Sequence, residues 1–235
     1  MENKKKRRVS SELAYVLATV LLAVSVAMLT RADFGISMLT APVYMLHLAT
    51  QETALPLTFG QAEYVIEAIL FVIFCLLMKR VRALYFVSFG TGVFYGLLLD
   101  LCRMLPMLSE QSPAPALWAR MLFFVVGELA TALSVALYFR VYIYPAFYDF
   151  FVKGITEHFH LPPTAFKLGF DMALLVVGAV MSLLLFGQIF GYGIGYGTVL
   201  IAVINGPLIG MAGKLLDRFL EFTPTFPKLA KHFEE

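Results

Sequence analysis

Apolar residues fill six stretches of this chain, each about twenty residues long, and polar residues gather in the gaps between them. As helices rising about 1.5 Å per residue, such stretches cross about 30 Å of hydrocarbon. The pattern predicts spans near 11–31, 60–78, 83–105, 118–139, 166–187 and 196–220. Two further segments, Ile36 to Thr50 and Tyr142 to Phe159, each carry an early proline (Pro42, Pro145) and too few apolar residues for a full crossing. They are expected as short half-helices that re-enter the membrane or lie at its surface, where protein or a wet cavity covers their loose backbone.

The pattern also repeats. The run Leu22 to Arg31 (LAVSVAMLTR) returns 109 positions later as Thr131 to Arg140 (TALSVALYFR), with Ala, Ser, Val, Ala and Arg in the same places. Three crossings per copy is an odd number, so the two copies must insert in opposite orientations. The expected fold is therefore all-α: a polytopic membrane protein with six transmembrane helices and two short broken or re-entrant helices, built as two inverted three-helix repeats. The expected divisions are a basic amino-terminal segment 1–10, a first repeat 11–105, a linker 106–117 containing Ser109, Gln111, Ser112 and Pro113, a second repeat 118–220 and a tail 221–235.

Composition agrees with burial in lipid: 60% of residues are hydrophobic and 14% charged, with a mean hydropathy of +0.81 that no ordinary soluble domain shows. The first apolar run is as long as a span and lacks a clear cleavage site, so it is expected to be retained rather than removed as a signal peptide. With the amino terminus in the cytoplasm, fifteen of the eighteen Lys and Arg residues fall on the inner side, among them Lys4 to Arg8, Lys79, Arg80, Arg82, Lys228 and Lys231; only Arg31, Arg103 and Arg120 fall outside. That bias selects six spans with both termini inside, because eight would leave the Lys79 to Arg82 cluster outside. The basic residues thus set orientation and imply no nucleic-acid partner. Cys75 and Cys102, one in each of two helices, are expected as buried soft side chains rather than a disulfide.

Ionisable residues inside spans cost about 2.5 to 3.5 kcal/mol on insertion scales, so each needs a partner, water or a task. Glu67 lies one helical turn beyond Glu63, Asp171 one turn beyond Lys167, and Glu128 near the middle of its span. Lys167 can neutralise Asp171, and Asp100 is expected to pair with Arg103; Glu63 and Glu67 cannot neutralise each other, and such a pair favours a shared proton or a bound cation. Arg31 and Arg140 end equivalent helices and open the broken segments that continue through Asp33 and Gly35, and through Pro145 and Asp149.

Gly191, Gly193, Gly195 and Gly197 lead into Thr198, with Asn205, Gly206 and Pro207 beyond. Their period of two fits neither a phosphate loop nor a dinucleotide fingerprint; close helix contact, a sharp turn and a kink at Gly206-Pro207 are expected. Tyr142, Tyr144, Phe147, Tyr148, Phe150 and Phe151 suggest an interfacial aromatic belt, with stacking on a solute as the sharper alternative. His158 and His160 are expected to be solvated.

Several of these pieces together resemble the bacterial YczE/YyaS/YitT-like integral membrane proteins: Arg31-Ala-Asp33-Phe-Gly35-Ile-Ser37, Leu57-Thr-Phe-Gly60-Gln61, Phe94-Tyr-Gly96 to Asp100, Lys167-Leu-Gly-Phe-Asp171, and Phe186-Gly187-Gln-Ile-Phe-Gly191 with Gly197-Thr198 and Gly206-Pro207. Tyr196 stands where relatives carry a charge. The resemblance implies a multi-pass inner-membrane protein with no settled activity and names no substrate.

The leading expectation is a secondary transporter of a small organic solute, coupled to a proton or sodium ion. Its site would lie between the repeats and draw on Glu67, Glu128, Asp100, Asp171, Arg31, Asp149, Thr198 and Asn205, with the carboxylates lining a central cavity. A substrate-binding membrane subunit of a multi-component importer and a non-transporting accessory protein are the alternatives. No enzyme motif, cofactor or metal set is expected; the partners are solute, coupling ion and bilayer, with a homodimer left open.

Overall fold

The computed structural model describes residues 6–109, 112, 115–143 and 147–226. The expectations for Lys4, Lys5, Gln111, Pro113, Tyr144, Pro145, Lys228 and Lys231 lie outside these residues. Eight helices are described: α1 (Ser11–Ala32), α2 (Ala41–Thr50), α3 (Phe59–Met78), α4 (Ala83–Arg103), α5 (Leu117–Tyr138), α6 (Phe147–Phe159), α7 (Pro163–Phe186) and α8 (Tyr196–Phe219). All except α2 and α6 are long and apolar enough to cross a membrane.

Local chemistry sets the boundaries. Ser10 caps α1 by accepting the Leu13 amide, and the helix ends at Asp33 in the left-handed region. Thr58 and Gln61 form a reciprocal capping box at the start of α3. α7 begins behind Pro162 with Pro163 in its first turn and stops at Gly187, whose φ of 73° suits a residue without Cβ. Pro207 lies within α8.

The central seam joins α1 and α5. The Ser134 hydroxyl donates to the Ala18 carbonyl at 2.7 Å, Thr131 to the Ser25 hydroxyl at 3.0 Å and Tyr138 to the Thr19 hydroxyl at 2.8 Å. These pairings run the two helices antiparallel. Small residues permit the approach, and interhelical hydroxyl bonds supply attraction that apolar contact cannot provide in lipid. Around the seam, α4 packs on α1 and α8 on α5.

The short helices cross between the halves. α2 packs on α7, and α6 packs on α3. The first residue of α6 meets Glu67 midway along α3, and Gly154 lies against Phe74 seven residues further on both helices. α6 therefore starts at mid-depth and runs alongside the second half of α3. Likewise, the Ala41-Pro42 start of α2 lies against Gly178, in the interior of α7. Both half-helices begin inside the bundle rather than lying on its surface.

Two features differ from expectation. Arg7–Ser10 and Leu220–Thr223 form a parallel strand pair, β1 and β2, which the all-α expectation did not include. The aromatic residues Phe147, Tyr148, Phe150 and Phe151 are buried rather than forming an interfacial belt. They pack with Phe74 and Tyr85 into a core cluster because α6 lies against α3.

Candidate functional site

The densest set of buried ionisable groups lies where α6 meets α3. Glu63 and Glu67 are 5% and 0% exposed and share one face of α3. The Phe147 amide, at the start of α6, donates to Glu67 Oε1 at 3.1 Å; the Tyr148 hydroxyl donates to Glu63 Oε2 at 3.4 Å. A helix start carries unpaired amides and partial positive charge, so a carboxylate there satisfies both. Glu67 Oε2 has no hydrogen-bond partner among the described residues. It lies against Gly92 of α4, where a Cβ would overlap the carboxylate. Two acids one turn apart, fed by one amide and one phenol, form a group that can take up and release a proton or small cation.

A second polar group adjoins α6 on its other side. Lys167 of α7 pairs with Asp171 at 3.0 Å, as its spacing predicts, and also with Asp149 in the first turn of α6 at 3.4 Å.

The remaining candidates lie apart. Glu128 is 2% exposed on α5. Neither of its carboxylate oxygens has a partner among the described residues, and the same holds for Asn205 Oδ1 on α8. Asp100 does not pair with Arg103: it accepts the Thr58 hydroxyl at 2.6 Å and the Gly60 amide at 2.8 Å, tying the end of α4 to the start of α3. Arg103 instead reaches His47 at 3.3 Å and lies over the Phe59 ring. Arg31 donates to the Ser112 carbonyl of the linker at 3.1 Å. Thr198 is buried at the start of α8, against Gly35. The carboxylates expected to line a central cavity thus have different neighbours among the described residues, and Glu63, Glu67 and Glu128 are enclosed by protein.

The glycine run explains itself by contact. Gly195 and Gly197 touch the Phe34 carbonyl, Gly193 touches the Tyr44 ring, and the Ile36 amide donates to the Gly193 carbonyl at 2.9 Å. At the strand-pair end, Glu12 accepts the Tyr142 hydroxyl at 2.7 Å and the Thr225 and Phe226 amides, each at 3.0 Å. Burial and then this bond push the Tyr142 phenol up to about 12. Arg140 meets Asp217 through two 2.6 Å bonds. The sequence marked neither Glu12 nor His47, because each looks like an ordinary helix-end polar residue until its distant partner is known.

Six apolar helices, two half-helices and buried carboxylates at mid-depth define a multi-pass α-helical membrane protein. The chain belongs to the family of unknown function DUF6198, which it matches over residues 9–214. No curated protein and no solved structure matches it.

Proposed function

We propose that this protein is a secondary carrier of a small organic solute, not an enzyme. It would lie in a bacterial inner membrane, as the YczE/YyaS/YitT resemblance implies, with both termini cytoplasmic, and would be built from two inverted three-helix repeats. The observation that carries the reading is the exchange of half-helices: each begins inside the bundle against a long helix of the other half. Inverted-repeat carriers hold solute at such discontinuous helices, where half-helix amides and dipoles point at the midplane. The antiparallel α1–α5 seam supports the inverted relation, and the sealed carboxylates fit an occluded state. The Glu63-Glu67 pair, with the α6 start, contacts the solute or its coupling ion.

The two halves also close unequally. α3 packs on α4, whereas α7 shares no packed seam with α8 among the described residues. Alternating access would then exchange these two internal arrangements between the repeats.

Purified protein in liposomes, screened with metabolite pools under an imposed ion gradient, tests the proposal. Gradient-driven uptake without a partner supports a carrier, and Glu67→Gln should reduce it at least tenfold. Uptake that needs an added ATPase would make the chain an importer subunit. No uptake in either format overturns both readings.

A further inference from the structure

Two ridges run side by side where α5 meets α8. On α5 the fourfold spacing gives Phe124, Glu128, Ala132 and Ala136, all buried, and then Arg140. On α8 the same spacing gives Gly197, Ile201, Asn205, Ile209 and Gly213. The first members touch, since Gly197 lies against the Phe124 ring; the last members touch, since Gly213 lies against the Arg140 guanidinium. Sixteen residues separate these contacts along each segment, Arg140 lying two residues past the end of α5, so the helices are parallel and in step. Glu128 then falls level with Ile201, and Asn205 with Ala132, whose methyl leaves space beside it. Asn205 thus stands one helical turn, about 6 Å, beyond Glu128 along the same seam, an offset that the long glutamate side chain can bridge.

Three oxygens at this level, both of Glu128 and Oδ1 of Asn205, are buried with no partner among the described residues. All three are acceptors. An acceptor left unpaired in a dry seam costs about 1 to 3 kcal/mol, and more if it is charged. From α1, the residues facing Gly127 beside this point are Ser25 and Leu29. Between Tyr15 and Arg31, α1 carries no titratable residue, and between Tyr196 and Lys214 neither does α8. The flanking charges are paired at the two ends of the seam, Arg120 with Asp33 and Arg140 with Asp217. Among the described residues no cation is therefore placed along the seam to balance a charged Glu128, and the Asn205 NH2 could offer it a hydrogen bond but no neutralising charge. A hard cation such as calcium gathers about six to eight oxygens, more than this level offers. One proton suffices: placed on Glu128, it makes an O–H that donates to Asn205 Oδ1 and removes the charge as well.

We infer that Glu128 and Asn205 form a proton-binding site between α5 and α8, and that this proton is the coupling ion of the carrier. The coupling role rests on the carrier reading; the protonation does not. Infrared spectra of the full-length protein in lipid at neutral pH read it directly. Wild type minus Glu128→Gln should show the carbonyl band of a protonated carboxylic acid, shifted in D2O. In Asn205→Leu, which keeps the acid, the band should persist but move to higher frequency as its hydrogen bond is lost. Unchanged helicity by circular dichroism certifies both variants. A carboxylate band in place of the acid band, or a frequency indifferent to Asn205→Leu, overturns the site. In liposomes, Glu128→Gln should take up solute without response to a proton gradient; a response that survives overturns the coupling role. Failure of wild-type uptake would sink the carrier reading and leave the spectroscopic result standing.

Discussion

The helix pairs α3–α4 and α7–α8 occupy equivalent places in the sequence repeat but pack differently. In the first pair, Gly60 and Gly96 bring the backbones together, the Tyr64 hydroxyl donates to the Val93 carbonyl at 3.1 Å, and Asp100 holds the start of α3. In the second, Gly169 and Gly206 stand 109 and 110 positions after Gly60 and Gly96, yet nothing lies within 4 Å of where their Cβ atoms would be. A third of the apolar stretch of α3 and of α4 is buried, against 17% in α7 and 11% in α8. The difference lies in the tethers: at the positions matching Tyr64 and Asp100, the second half has Ala173 and Gly210. Glycines permit close approach of helices but do not enforce it; a polar bond that is costly to break in lipid does.

The largest expected effect tests that contrast directly. Gly96→Leu drives a side chain into Tyr64 and the Gly60 backbone and should cost about 3 kcal/mol, whereas Gly206→Leu points into open space and should stay within about 0.5 kcal/mol. Thermal unfolding in detergent compares them, and equal losses would mean that α7 and α8 do pack. The next effect is on movement. With Cys75 and Cys102 replaced, a Gly169→Cys/Gly206→Cys pair should stay unlinked by a short bifunctional reagent in the resting protein and become linked during turnover; linking that ignores turnover would remove the exchange of arrangements between the repeats. Asp100→Ala, which deletes the tether at the start of α3, should cost about 1 kcal/mol, as loss of a helix cap does. The smallest change is Arg140→Ala. Its partner Asp217 has a side chain 58% exposed, so the loss should stay below about 1 kcal/mol, measured by the same melt.

The spans were legible to within about three residues at each end, because twenty-residue apolar runs leave little choice in a bilayer. Both half-helices were legible too, from Pro42 and the shortage of apolar residues in their segments. Their seats were not, since nothing in Phe147 announces Glu67 eighty positions earlier. Asp100 illustrates the same limit: Arg103 is its near neighbour on the helix, but two unpaired donors at the start of α3 offered hydrogen bonds from a fixed position. The β1–β2 pair escaped because four-residue strands carry no usable period. Lys167 with Asp171 was readable, being local, while the addition of Asp149 depended on where α6 docks.

The exchange of half-helices constrains how the protein is made. When α2 leaves the ribosome, α7, one of the helices it rests against, has not yet been translated, and β1 must wait for some two hundred residues before its partner strand exists. An incomplete chain therefore holds a segment at mid-depth that is packed on α3 but uncovered on its α7 side, vulnerable to quality-control proteases until α7 arrives. Separately expressed halves should each be short-lived and should rescue one another when produced together.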